Sequence, residues 1–227
     1  MPNEPFLCLQ QAARTYKANG LPVTALHPTD LAVGKGAFIC LAGPSGSGKT
    51  TILNLMGGID TPTAGRVLIN GQTTTGLSRA AAAILRREHI GFVFQAFNLI
   101  PVLTAYENVE YILLLKRVAE PERTARVEEV LAGVGLEKVR NKRPAELSGG
   151  QQQRVAVARA IVGAPPIVLA DEPTGSLDSR TGTKLLDLLR RLNRERQTTF
   201  VFSSHDPLII ERADQVIRLQ DGRIVES

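Results

Sequence analysis

From residue 6 to residue 42 apolar and polar positions alternate in short runs, broken at Asn19-Gly20 and at Gly34-Lys35-Gly36. Alternation of this period, cut by turn residues, predicts several strands joined by tight turns. The run 38–41 is apolar throughout and leads into glycine-rich sequence, which predicts a strand buried on both faces. Residues 50–56 read as a helix, and 66–70 and 91–94 as strands. From 105 to 163 the spacing becomes helical, with Val127, Val130, Leu131 and Val134 on one face. Beyond it the pattern predicts a strand over 167–170, a helix over 183–196, a strand over 199–203 and a hairpin-like pair around Asp221-Gly222. Strands and helices that alternate in this way predict an α/β fold on a mainly parallel sheet, interrupted by a helical block.

Composition adds limits. The chain has 227 residues, 43% of them hydrophobic and 22% charged, enough apolar material for a buried core. Only 4% are aromatic and none is Trp, so that core must rest on Leu, Ile, Val and Ala. The net charge of +5 fits anionic ligands or an anionic membrane face and does not call for nucleic acid. Arg190, Arg191, Arg194 and Arg196 share a helix with Leu185, Leu188, Leu189 and Leu192, which reads as a core stripe with a solvated basic face. Cys8 and Cys40 both fall in apolar alternating runs, which favours two free thiols and a reducing compartment. The N-terminus lacks the basic and apolar regions of a signal peptide, and no apolar run approaches the ~20 residues that span a bilayer. A cytoplasmic protein is expected.

Three motifs carry chemistry. Gly43-Pro44-Ser45-Gly46-Ser47-Gly48-Lys49-Thr50 matches G-x-x-x-x-G-K-[ST], with a predicted strand before it and a helix after it. The glycines let backbone N–H groups curl round an anion, and the helix start adds its positive dipole end. Lys49 should reach the β- and γ-phosphates, and Thr50 should ligate Mg²⁺. At the end of the apolar run 167–170, Asp171 should hold the metal through water, and Glu172 stands where a general base meets the attacking water. Pro173 disfavours a helical conformation for Glu172, so an extended Glu172 is expected. In Leu147-Ser148-Gly149-Gly150-Gln151, Ser148 is a good helix cap and the glycines expose backbone donors, a second anion site. One economical explanation is that it caps the γ-phosphate of a nucleotide held by another subunit.

Together with Gln95, Ser176-Leu177-Asp178 and His205, these motifs resemble, in the same order, those of the nucleotide-binding subunit of ABC transporters. The resemblance runs from Phe6 to Val225. It implies an α/β P-loop NTPase fold of ABC type: a mainly parallel sheet core, an antiparallel β subdomain and an inserted helical subdomain. One ATPase domain would fill 1–227, with a core lobe over about 1–95 and 164–227 and a helical subdomain over about 96–163. The implied cofactors are ATP and Mg²⁺. Gly43, Ser45, Gly46, Ser47, Gly48, Lys49, Thr50 and Thr51 would hold the phosphates. Ser148, Gly149, Gly150 and Gln151 would be the signature motif, acting across a homodimer, and Asp178 would lie in the loop that communicates between subunits. Gln95 would sense Mg²⁺ and the water, and His205 would contact the γ-phosphate. Tyr16 aligns with the aromatic that stacks on adenine; a tyrosine packed in the fold is the competing reading. Ala37 and Ser204 depart from residues common in the family, and neither is expected to touch the chemistry.

Residues 94–109 and 56–65 resemble the branch that contains lipoprotein-releasing and macrolide-exporter ATPases. That implies a separate permease, docked near 96–106, with Phe97 and Leu99 forming part of a groove for one of its cytoplasmic helices. The subunit would sit at the cytoplasmic face of a bacterial inner membrane. Small-solute import and a soluble, non-transport ATPase are the alternatives; the interval from Gln95 to Leu147 is too short for the coiled coil of repair-type relatives.

Overall fold

The computed structural model describes residues 5–226. The chain begins with strands β1 (Leu7–Ala18) and β2 (Leu21–Val33), joined at Asn19-Gly20, where both residues take positive φ. Strand β3 (Phe38–Ala42) is buried at every position and feeds helix α1 (Lys49–Met56). Next come β4 (Ala64–Ile69), β5 (Gln72–Thr73), α2 (Arg79–His89) and β6 (Ile90–Val93). The helical block holds α3 (Ala105–Leu115), α4 (Glu120–Gly133) and α5 (Gly149–Ile161). The chain closes with β7 (Ile167–Asp171), α6 (Ser179–Arg196), β8 (Thr199–Ser203), the single turn α7 (Pro207–Ile210), β9 (Gln215–Gln220) and β10 (Arg223–Glu226).

Two sheets result. Antiparallel pairing orders one as β2-β1-β4-β5; the other runs β10-β9-β3-β8-β7-β6 and is parallel except for the β9–β10 hairpin. The fold is therefore the expected α/β arrangement. In the second sheet Leu41 pairs with Ser203 and Ser203 with Asp171, so β3, β8 and β7 end level with one another. That register brings the segments after β3, β8, β7 and β6 to one edge, the usual ligand-binding edge of an open parallel sheet.

The two faces of this sheet bury different sets. On one, Phe38, Phe200 and Phe202 are fully enclosed, with ring centroids 4.7–5.8 Å apart. The helical block packs on the same side through Val109, Leu113, Val127, Leu131 and Val155. The other face joins Ile39, Leu41, Ile52 and Met56 to Leu7, Leu9 and Val67 of the antiparallel sheet. Three of the ten aromatic rings thus meet where β3 pairs with β8. Arg190 departs from the expected solvated face: its guanidinium lies 4.7 Å over the Phe38 ring and pairs with Asp214. The guanidinium covers the ring while its N–H groups meet a carboxylate.

Two helices differ from the sequence expectation. Helix α6 begins at Ser179 rather than 183, because the Asp178 carboxylate accepts from Thr181 N (3.0 Å) and caps it. Helix α2 has no counterpart in the sequence reading. Ser78 caps it; Leu85 packs on the core, but none of its residues is fully buried, so the core stripe is weak. Cys8 is half-buried, Cys40 is buried and both are free. No described helix is long and apolar enough to cross a membrane.

Candidate nucleotide site

The segment between β3 and α1 wraps the bottom of a cleft of about 650 Å³. Gly46 and Gly48 take φ of 80° and 102°, the left-handed side that glycine alone enters freely. A Cβ on Gly48 would stand 2.8 Å from the carbonyl oxygen of Ala25, so β2 holds the loop at its tightest approach. Helix α1 starts without a side-chain cap and with no acidic residue in its first turn. Its leading N–H groups are thus free for an anion. Lys49 Nζ donates to the carbonyls of Gly43 (2.7 Å) and Pro44 (2.9 Å), which keeps the ammonium inside the loop.

Across the cleft Thr50 Oγ1 donates to Asp171 Oδ2 at 2.9 Å. A hydroxyl and a carboxylate side by side are hard oxygen ligands of the kind Mg²⁺ takes together with phosphate oxygens. Among the described residues no group of three His, Cys, Asp or Glu side chains makes a metal cage by itself. The donor set therefore fits a Mg²⁺ completed by nucleotide. Ser47 Oγ and Ser203 Oγ are buried against the cleft without a protein partner, two further polar groups suited to a phosphate-bearing ligand.

Glu172 does not take the extended conformation expected from Pro173. Its φ is 49°, in the left-handed region. Hydrogen bonds outweigh the local preference: Glu172 N donates to Ser203 O (2.9 Å), and Glu172 O accepts from Gly175 N (3.2 Å) and Gln153 Nε2 (2.9 Å). The turn aims the carboxylate back at the tip of β8. There Oε2 accepts from Ser204 Oγ at 2.8 Å and Oε1 lies 2.7 Å from His205 Nδ1. The Glu172 side chain is 15% exposed and that of His205 81%, so the histidine reaches over the cleft from its rim while the carboxylate sits within. Ser204 thus touches the candidate base, contrary to the expectation drawn from sequence.

The cleft is lined by Gly43, Ser45, Gly46, Ser47, Gly48, Lys49, Thr50, Thr51, Gln95, Asp171, Glu172 and His205, with Ala25, Pro44 and Ser203, which the sequence reading omitted. Ser148, Gly149, Gly150, Gln151 and Asp178 do not line it. Ser148 and Gln151 instead form a reciprocal capping box: Ser148 Oγ accepts from Gln151 N (3.3 Å) and Gln151 Oε1 from Ser148 N (2.9 Å). That leaves the N–H groups of Gly149 and Gly150 at a helix start where the cap Ser148 and Gly149 are exposed and Gly150 is half-buried. The Thr181 hydroxyl and amide hold the Asp178 carboxyl below the usual carboxylate range.

Tyr16 also lies outside the lining. Its hydroxyl donates to Asp60 (2.8 Å), and the Arg14 guanidinium, itself paired with Asp60, covers one ring face at 4.7 Å.

A second cleft, of about 640 Å³ and mostly apolar, opens between α2, β6, α3 and α5. Its walls include Ile59, Phe92, Phe94, Ile100, Tyr111 and Leu115. Phe97 and Leu99, expected to form part of a permease groove, do not line this cleft, and Leu99 packs on the core of the helical block. Phe97 and Asn98 take left-handed φ, and Arg159 of α5 binds both carbonyls, at 2.8 and 2.6 Å. This bracing, which turns the chain there, is invisible to a sequence pattern. Burial away from any carboxylate draws Arg159 below the ordinary arginine range.

Comparison with known proteins agrees with this geometry. The family described as ABC transporter matches residues 26–175. The ABC transporter ATP-binding protein YtrE of Bacillus subtilis (strain 168) is 49% identical over 206 residues, covering 91% of this chain and 88% of that protein. The macrolide export ATP-binding/permease protein MacB of Marinobacter nauticus is 43% identical over all 227 residues, which correspond to 35% of its own length. The fold matches the dimeric post-hydrolysis structure of the cassette MJ0796 bound to ADP and Pi, with a TM-score of 0.94 and 44% identity over 97% of each chain. A second dimeric structure of MJ0796, a bacterial ABC transporter cassette, matches with the same TM-score and 45% identity. The chain belongs to the ABC transporter family, as an ATP-hydrolysing nucleotide-binding subunit.

Proposed function

We propose that two copies of this chain close around two Mg-ATP and that their cycle of closure and hydrolysis drives a separate membrane permease in lipoprotein release or export. The observation that carries the reading is the division of the motifs: four loops at one sheet edge form the cleft, while Ser148, Gly149 and Gly150 stand outside it at an exposed helix start. A helix start that offers N–H groups but faces no cleft of its own suits the γ-phosphate of a nucleotide on a second copy. The dimeric MJ0796 structures support that arrangement.

In this reading the backbone of 43–48 and Lys49 hold the phosphates, and Thr50 and Asp171 hold Mg²⁺, with Gln95 beside them. The metal would supply charge neutralisation on the phosphate oxygens. Glu172 takes the proton of the attacking water, oriented by Ser204 and His205. Tyr16 stacks on adenine through the ring face opposite Arg14. The apolar cleft between α2 and α3 receives a cytoplasmic helix of the permease, which places the subunit at the cytoplasmic face of the membrane. The likeness to MacB, by its name an export ATP-binding/permease protein, supports the export side.

Light scattering tests the shared site. Glu172→Gln, slow to hydrolyse, should dimerise with Mg-ATP and stay monomeric with ADP. Adding Ser148→Arg, which blocks the helix start, should abolish the dimer while each chain still binds ATP through Lys49. A double variant that still dimerises would refute action across the interface.

A further inference from the structure

The Glu172 backbone has a support that none of the sequence motifs includes. Gln153 sits on α5, on the face that carries Gly150 one turn before it. It is 1% exposed and is the polar member of a buried face formed otherwise by Val155, Ala156, Val157, Ala160 and Ile161. Both ends of its amide are used in one place: Nε2 donates to Glu172 O (2.9 Å), and Oε1 accepts from Ser176 N (3.2 Å). The loop 172–176 is thus clasped at its first and last residues by a single side chain.

The clasp falls where the loop is most demanding. A non-glycine residue at φ 49° occupies sparsely populated backbone and persists only when its surroundings over-determine it. Glu172 N and the Gly175 contact belong to β8 and to the loop itself; Gln153 is the partner contributed by the helical block. The N-terminal turn of α5 is close to the same loop. A Cβ on Gly150 would lie 3.1 Å from Ser176 O and 3.2 Å from Leu177 Cδ2. The helix start and the loop therefore have little room to move independently.

We infer that Gln153 is a positioning residue for the catalytic base: it fixes the turn that aims the Glu172 carboxylate and ties that turn to the helix whose first residues meet the partner's nucleotide. The inference rests on the reading of Glu172 as the base. It gives the dimer a direct link between its two sites, because α5 of one copy touches the nucleotide of the other while Gln153 on the same helix holds the base of its own.

The experiment is a double-mutant cycle in single-turnover hydrolysis by the full chain, with ATP affinity and thermal midpoint measured beside it. Gln153→Met keeps the volume and removes both hydrogen bonds. A displacement of the base on the order of 1 Å should slow hydrolysis by up to roughly a hundredfold. ATP affinity, set by the loop at Lys49, should hold. Gln153→Glu, which keeps an acceptor for Ser176 N and loses the donor to Glu172 O, should slow hydrolysis as well. If Gln153 acts through Glu172, adding Gln153→Met to Glu172→Gln should cost nothing further. Effects that multiply, or Gln153→Met at the wild-type rate, would overturn the inference alone. A Glu172→Gln chain with wild-type turnover would overturn the base reading and this inference with it. A fall in ATP affinity and thermal midpoint in step with the rate would mark a merely structural residue and also overturn it.

Discussion

Removing the Ser204 hydroxyl isolates one support of the base from the base itself. Ser204 is fully buried, and its single proton goes to Glu172 Oε2 at 2.8 Å while its oxygen accepts from Asp206 N at 3.1 Å. Ser204→Ala therefore takes a donor from a carboxylate and an acceptor from a backbone N–H. A hydrogen bond to a charged group contributes about 1.5–3 kcal/mol, and each 1.4 kcal/mol corresponds to about tenfold in rate. Only the part that holds the carboxylate in its reactive orientation appears in kcat, so the expected loss is roughly ten- to thirtyfold, with KM for ATP nearly unchanged. Ser204→Thr keeps the hydroxyl, and its kcat should stay within about threefold of wild type if the extra methyl is accommodated, since volume changes in a packed core cost on the order of 1–3 kcal/mol in stability. Steady-state phosphate release with a thermal midpoint for each variant gives the answer. Ser204→Ala turning over at the wild-type rate would refute the reasoning, as would Thr and Ala variants equally impaired at equal stability.

Other regions give independent tests. Tyr111 and Leu115 are one helical turn apart on α3, both in the apolar cleft and 40% and 42% exposed. The double substitution Tyr111→Glu/Leu115→Glu should abolish co-purification with a co-expressed permease without lowering the thermal midpoint, and retained association would remove this cleft as the docking site. Burial pushes the Cys40 thiol from 9.0 up to about 11. The folded state thus retains a proton that the unfolded chain releases, so stability is unaffected below pH 9 and falls as pH rises toward 11, by roughly 3 kcal/mol relative to Cys40→Val. The denaturant midpoint of wild type should therefore fall relative to that of Cys40→Val between pH 8 and 11; a constant gap would mean that the thiol ionises with the same pKa in both states.

The phosphate loop was legible because its chemistry is local. Eight consecutive residues carry the glycines, the lysine and the hydroxyl, and the apolar run before them has one sensible place in a parallel sheet. The same holds for Asp171, at the tip of a strand readable from 167–170, and for the cap at Ser148, followed three residues on by Gln151, which completes a capping box. Glu172 was legible as a residue and misread as a backbone. The local rule for residues before proline favoured extension, but contacts from β8 and α5, 19 to 32 residues away in sequence, decided the turn.

Tertiary structure alone decided which residues share a neighbourhood. Gln153 differs from its polar neighbours in the sequence only by facing inward, and the one available signal was its place on the buried stripe with Val157 and Ala160. Helix α2 makes a wall of the apolar cleft and sets Leu85 against the core, but none of its residues is fully buried and its run of alanines gives only a weak stripe. Arg14 and Tyr16, both on β1, meet Asp60 in the segment between α1 and β4, 44 residues beyond Tyr16 in sequence. Sequence patterns record what each element does with its own faces; the partner across a gap depends on sheet order and register, which long-range packing selects.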